Sequence, residues 1–280
     1  MAPIGPPVPA EAMGTNGRSR ERFGVLGVWI DAVDPSRAQD AIESWIARRQ
    51  RGYVCVSNVH SVMEARRDES LRAVFNAAGL AVPDGMPLVW VGRLRGRREV
   101  RRVYGPDLTL QLCERAARRG YTCFFYGGGP GVAERLAEAL SRRFPGLRVV
   151  GAEAPPFRPL TTEEDEEAVR RINAAAPDLV FVGLGCPKQE RWMAAHRGRL
   201  QAAALVGVGA AFDFHTGRVS QAPRWMMRAG LEWLFRLGQE PQRLWRRYLV
   251  YNPLFVFHLT LELLGLRRYP APPDDGPGAG

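Results

Sequence analysis

An unbroken apolar run, Leu179–Val182, restricts the fold more than any other feature of this chain. It stops at Gly183-Leu184-Gly185 and passes through Pro187 straight into Lys188-Gln189-Glu190. A segment with apolar residues on both faces of an extended backbone belongs to a strand covered on both sides, as in a parallel sheet. A glycine stop followed at once by a helix leaves free backbone N–H groups at the carboxyl edge of that sheet, where α/β proteins hold anions. Lys188 and Gln189 fall in the first turn of the helix, directed at such a ligand. Taken by itself, the same stretch reads equally as a tight strand–helix turn with no ligand.

The alternation recurs along the chain. Phe23–Ile30 reads as one short strand, and Asp34-Pro35 caps a helix to about Gln50. Tyr53–Val56, Leu80–Val82, Tyr121–Tyr126, Leu147–Gly151 and Ala203–Val208 read as further strands. Helices fall between them: Ser61–Ala78, Pro87–Leu94, Pro106–Arg119, Val132–Phe144, and a helix opened by Thr161-Thr162-Glu163-Glu164 and ending at Ala176. Repeated β–α units predict an α/β, Rossmann-like fold, a mostly parallel sheet with helices on both faces. From Gln221 the character changes. Nine arginines between Arg218 and Arg268 face only three acids, Glu232, Glu240 and Glu262, within an aromatic, helical stretch. The expected organisation is an α/β domain over 21–220 and a helical C-terminal appendage over 221–268. Pro/Gly-rich tails over 1–20 and 269–280 are expected to be disordered.

The net charge of +10, with pI near 10.2, favours anionic partners: phosphorylated ligands, nucleic acid or an acidic membrane face. Lys188 is the only lysine, so arginine supplies every other positive charge. The four cysteines lack C-x-x-C spacing and have no histidine placed to complete a zinc site, which suits reduced thiols in a cytoplasmic protein. The opening residues lack the charged and apolar regions of a signal peptide, and no 18-residue apolar run predicts a spanning helix.

Four strand ends carry polar residues that packing does not require: Ser57-Asn58, Asp84, the Gly127–Gly131 loop with Gly128 and Gly129, and Asp213 after Gly207-Val208-Gly209. In a doubly wound sheet such ends converge on one crevice. Asp84, directly after the strand in Ala-Val-Pro-Asp-Gly, could hold a carboxylate in a partly dry site, where burial would raise its pKa toward that of a useful base. A simple Pro-Asp-Gly turn explains the same residues. None of the glycine loops completes G-x-G-x-x-G, no Walker pattern occurs, and no Asp-x-Asp offers the usual metal ligands of a sugar-nucleotide site. A leaving diphosphate would then meet arginines.

Ser57-Asn58, Asp84-Gly85, Arg102-Val103-Tyr104-Gly105-Pro106-Asp107-Leu108, Gly127–Gly131, Gly185–Glu190 and Gly207–Asp213 together resemble the WecG/TagA/CpsF family, glycosyltransferase family 26, from about Phe23 to Leu266. The resemblance implies an inverting, metal-independent transferase without a cofactor. Such an enzyme moves a sugar, N-acetylmannosamine or a related hexose, from a UDP-sugar to an undecaprenyl-diphosphate-linked sugar in surface polysaccharide assembly. It implies Asp84 as the base for the acceptor hydroxyl. Asn58, Arg102 and Gln189 match positions lining the sugar and diphosphate site, and Asp213 a position near the nucleoside. Arg236, Arg243 and Arg246 match basic positions of an appendage that closes over the site at the membrane. Many members carry Thr where this chain has Val56, so a hydroxyl contact is missing or comes from Ser57. Pro253–Leu266 beside Arg243–Tyr248 favours lying on the inner face of the cell membrane as a peripheral protein. Homo-oligomerisation is left open. The competing readings are a Rossmann-like nucleotide-binding oxidoreductase, which lacks its glycine fingerprint, and a basic nucleic-acid-binding protein, which lacks an RNA-module signature.

Overall fold

The computed structural model describes residues 20–269. In them the apolar runs become β1 (Arg22–Val25), β2 (Val28–Asp31), β3 (Gly52–Ser57), β4 (Leu80–Pro83), β5 (Thr122–Gly127), β6 (Arg148–Glu153), β7 (Leu179–Gly183) and β8 (Ala204–Gly207). The expected disordered tails lie outside the described residues, apart from Arg20 and Tyr269. β3 to β8 form one six-stranded sheet, parallel throughout, in the order β4-β3-β8-β7-β5-β6. Successive side chains along a strand serve opposite faces. Tyr53 and Cys55 of β3 join one buried cluster while Val54 and Val56 join the other. Phe124 and Tyr126 of β5 divide from Cys123 and Phe125 in the same way. Each face is sealed by helices, which is why these strands read as continuous apolar runs.

Two local expectations change. Phe23–Ile30 is an antiparallel hairpin, because Leu26 and Gly27 turn the chain with φ of 51° and 86°. Two consecutive positive φ values make a tight hairpin turn whose twist matches that of the strands it joins. The hairpin shields the β4 edge, where the Ala81 N–H donates to the buried Asp31 carboxylate at 2.6 Å. The stretch 61–78 is two helices, Val59–Arg67 and Glu69–Asn76, broken at Asp68. There the side chain accepts the Leu71 N–H at 3.0 Å, so a local side-chain bond outcompetes helix continuation. The predicted caps form as read: Asp34 accepts from Arg37 N–H, and Thr161 and Glu164 make a reciprocal box.

Beyond Gln221 the chain runs through short helices, Arg224–Arg228, Glu232–Gln239 and Pro241–Trp245, then one π-helical turn, Arg246–Val250, into Tyr251–Leu263. Pro253 has no N–H to give the carbonyl of residue 249, and the Tyr251 N–H reaches back to the Arg246 carbonyl instead. Phe255 is buried in the core cluster behind β3, and Glu262 pairs with Arg95 at 2.9 Å, so the last helix is fixed to the sheet domain. Among the described residues no helix is long and apolar enough to cross a membrane.

Candidate active site

The helices that follow β5 and β7 leave toward opposite faces. Val132, Leu136 and Leu140 of Val132–Arg143 pack in one core cluster, and Met193 of Lys188–His196 packs in the other. A crevice opens where such connections diverge. Its floor needs glycine. A Cβ on Gly127, at φ 132°, would lie 2.6 Å from the Gly183 backbone, and one on Gly183 would strike Phe212 at 2.8 Å. The C-terminal helices roof the crevice into a cleft of about 770 Å³, within the range of small-molecule sites.

Asp84 stands at the cleft wall, held from three sides. Its N–H donates to the Ser57 carbonyl at 2.8 Å. Its Oδ1 accepts the Gly105 N–H at 3.1 Å, and Arg102 Nε donates to its backbone carbonyl at 2.5 Å. The side chain is 17 % exposed, so one carboxylate face still meets the cleft. Burial pushes the Asp84 pKa up. The positive charge of Arg102 works against that and the nearby Glu232 carboxylate adds to it, giving a net rise above the ordinary aspartate value.

The other anticipated residues separate by depth. Asn58, Gln189, Lys188, Asp213, Gly128, Gly129, Arg236, Arg243 and Arg246 line the same cleft as Asp84. Asn58 also caps the helix after β3 by accepting the Ser61 N–H. Gln189 is buried, with its Oε1 accepting the Gly185 N–H at 3.2 Å and its amide lying against Gly207. Lys188 stands at the rim over the Phe157 ring, and Asp213 faces Arg218 at 3.8 Å. Two residues do not line the cleft. Ser57 is fully buried, with its hydroxyl donating to the Cys55 carbonyl at 3.3 Å, whereas the Val56 side chain does reach the cleft. Arg102 stands behind Asp84 and donates to Glu232 Oε2 at 2.5 Å.

Sequence reading missed Glu232, Tyr104, His60 and Arg247. All four line the cleft. Glu232 binds both Arg102 and, at 3.0 Å, the Tyr104 hydroxyl. Its available signal was being one of only three acids in an arginine-rich stretch. Arg247 carried none, being one basic residue among many. In the structure its Nε is buried without a hydrogen-bond partner, its Nη2 lies 3.4 Å from Asn58 Oδ1, and no carboxylate of the described residues pairs with it. Burial lowers its pKa. Arg236 Nε and His60 Nδ1 are likewise shielded without a hydrogen bond, although Glu240 lies 4.0 Å from Arg236 Nη2 and Glu64 3.9 Å from His60 Nδ1. Burial, with Arg247 close by, pulls His60 down to about 3, which keeps that ring neutral. Leaving an ion buried and unpaired costs several kcal/mol, so this wall suits an anion.

A parallel α/β sheet with a cleft at its carboxyl edge, lined by Asp84 and by several cationic side chains, is the arrangement of an α/β enzyme suited to an anionic ligand. The sequence profile of the glycosyl transferase WecG/TagA/CpsF family matches residues 23–269, and the chain belongs to that family. It is a glycosyltransferase, not an oxidoreductase. A protein of Bacillus spizizenii is 32% identical over 221 residues, covering 79% of this chain and 84% of the relative. One of Bacillus subtilis is 28% identical over 231 residues, covering 82% and 88%. Both are named N-acetylglucosaminyldiphosphoundecaprenol N-acetyl-beta-D-mannosaminyltransferase.

Proposed function

We propose that this chain transfers an N-acetylmannosaminyl or closely related hexosyl group from a UDP-sugar to N-acetylglucosamine on an undecaprenyl-diphosphate carrier, with inversion and without a metal. The observation that carries the reading is Asp84, held with its carboxylate at the cleft wall, sharing one cleft with Arg236, Arg243, Arg246 and Arg247. Asp84 takes the proton of the acceptor hydroxyl, and the oxygen forms its bond to the anomeric carbon as the bond to the UDP phosphate breaks. A single displacement needs one base, and Asp84 is raised toward that use by burial. Charge developing on the leaving diphosphate meets Arg236, Arg243, Arg246 and Arg247 and the adjacent helix N-terminus. Asn58 and Gln189 bracket the reacting sugars, with Arg102 supporting the wall from behind, and Asp213 takes the nucleoside end. Because Ser57 turns its hydroxyl away, Val56 makes that part of the pocket apolar, which favours an apolar edge of the sugar there.

The same reading places the protein peripherally on the inner membrane face. Trp225, Trp245, Leu249, Val256, Phe257 and Leu263 are exposed in the C-terminal helical segment that also carries Arg243 and Arg246, and Leu266 is exposed just beyond its last helix. Exposed apolar side chains in a segment rich in positive charge suit an anionic bilayer.

The test offers a panel of UDP-sugars with a short-chain prenyl-diphosphate-linked N-acetylglucosamine and reads products by mass spectrometry. One added N-acetylhexosamine is expected, at a rate unchanged by EDTA. No transfer from any UDP-sugar overturns the assignment, and EDTA inhibition overturns metal independence. Arg247→Met is expected to raise the KM for the donor about 10- to 100-fold with a smaller change in kcat, matching the loss of one charge-assisted contact to phosphate. Steady-state kinetics check it.

A further inference from the structure

Arg102 is shared between two acids of different origin. Its Nη2 lies 2.5 Å from Glu232 Oε2 and 4.0 Å from Asp84 Oδ1. Asp84 belongs to the sheet domain, at the end of β4. Glu232 opens the helix Glu232–Gln239 of the C-terminal segment and reaches no other cation among the described ion pairs. The guanidinium is fixed at its other end by the bond from Nε to the Asp84 carbonyl, and it lies over the Tyr104 ring at 4.2 Å. It therefore has little freedom to leave. If Glu232 is withdrawn, the only carboxylate left within reach of Nη2 among the described ion pairs is that of Asp84 itself.

We propose that Glu232 is a positioning residue for the base: its carboxylate draws the Arg102 guanidinium to its own side and keeps it from closing to hydrogen-bond distance of the Asp84 carboxylate. This deepens the transfer reading and rests on Asp84 being its base. An ion pair stabilises the charged carboxylate and makes it a poorer proton acceptor. The groups that set Asp84 are all in view. Arg102, Tyr104 and the Gly105 N–H face it from residues 102–105. Asn58 faces it from the helix after β3, and Glu232 and Arg247 from the C-terminal helices. Of these, Glu232 is the only anion, so its loss leaves Arg102 and Arg247 as the only charged groups among them.

The experiment compares full-length wild type and Glu232→Gln, an isosteric change that keeps one oxygen for Arg102 and turns its amide N–H toward the Tyr104 hydroxyl, which can accept it. The Asp84 carboxyl is followed by carbon-13 NMR after aspartate labelling, with Asp84→Asn giving the assignment, and limited proteolysis at the 221 junction reports docking. The expected result is a titration midpoint lower by about one pH unit in Glu232→Gln, a tenfold fall in proton affinity. The acid limb of kcat/KM should move down with it, and the plateau kcat should fall about 5- to 20-fold. An unmoved midpoint overturns the proposal, whether activity is retained or lost, because a mere tether would lower the rate and leave the midpoint in place. A midpoint that moves in a wild-type background that transfers no sugar would instead sink the transfer reading and leave the Glu232–Arg102 arrangement standing.

Discussion

Asp84→Asn should lower sugar transfer about a thousandfold while leaving UDP affinity within about twofold of wild type. General-base assistance is worth about 10²- to 10⁴-fold, and the single-displacement route has no second acid to substitute for the lost one. The amide preserves the volume of the side chain and can still accept the Gly105 N–H, so the fold and the nucleotide end of the cleft should survive. The pH profile gives an independent check. A base acts only when ionised, and burial raises the Asp84 pKa. Wild-type kcat/KM should therefore fall on acidification along a limb whose midpoint lies above the ordinary aspartate value, and the variant should lack that limb. Calorimetry with UDP and rate measurements across pH make the test. Turnover like wild type would remove Asp84 from the mechanism.

Removing residues 221–280 should abolish measurable transfer, weaken UDP binding about tenfold and reduce cosedimentation with anionic liposomes. The cut takes away Arg236, Arg243, Arg246 and Arg247 from the cleft, Glu232 from Arg102, and most of the exposed apolar surface. The parallel sheet should persist, since both of its faces are covered chiefly by helices lying before residue 221. It will be less stable, because Phe255 fills part of the core behind β3 and Glu262 ties Arg95. Loss of that packing should lower the Tm by several degrees. Circular dichroism, liposome cosedimentation and product assays separate the three effects. In the intact chain, Arg243→Ala with Arg246→Ala offers a milder version that keeps Phe255 in place. Normal transfer by the truncated protein would show that the C-terminal helices are no part of the site.

Much of this architecture could be read before any coordinates. Continuous apolar runs such as Leu179–Val182 specify strands covered on both faces, and the Asp34 and Thr161 caps announce where helices begin. The misreadings share a cause. At Leu26-Gly27 and at Asp68 a strong apolar pattern continues across a local backbone preference, and periodicity cannot see a turn carried by two residues. The site shows the same division. Asp84, Asn58 and Asp213 announced themselves as polar residues at strand ends and Gln189 as a first-turn residue of the following helix, while Arg247 looked like its neighbours and Ser57 looked more available than its bond to Cys55 leaves it.

The amino-acid order alone determined the strands, the helix starts and the edge of the sheet on which polar residues gather, because those depend on spacing along one chain. Only the tertiary structure decided which groups share an environment: that Glu232, 130 residues from Arg102, takes one side of that guanidinium while Asp84 lies on the other, and that Arg247 Nε is buried with no carboxylate of the described residues paired to it. Charge, burial and pKa arise from what surrounds a side chain in space, and those surroundings here come from segments brought together only when the C-terminal helices close over the sheet.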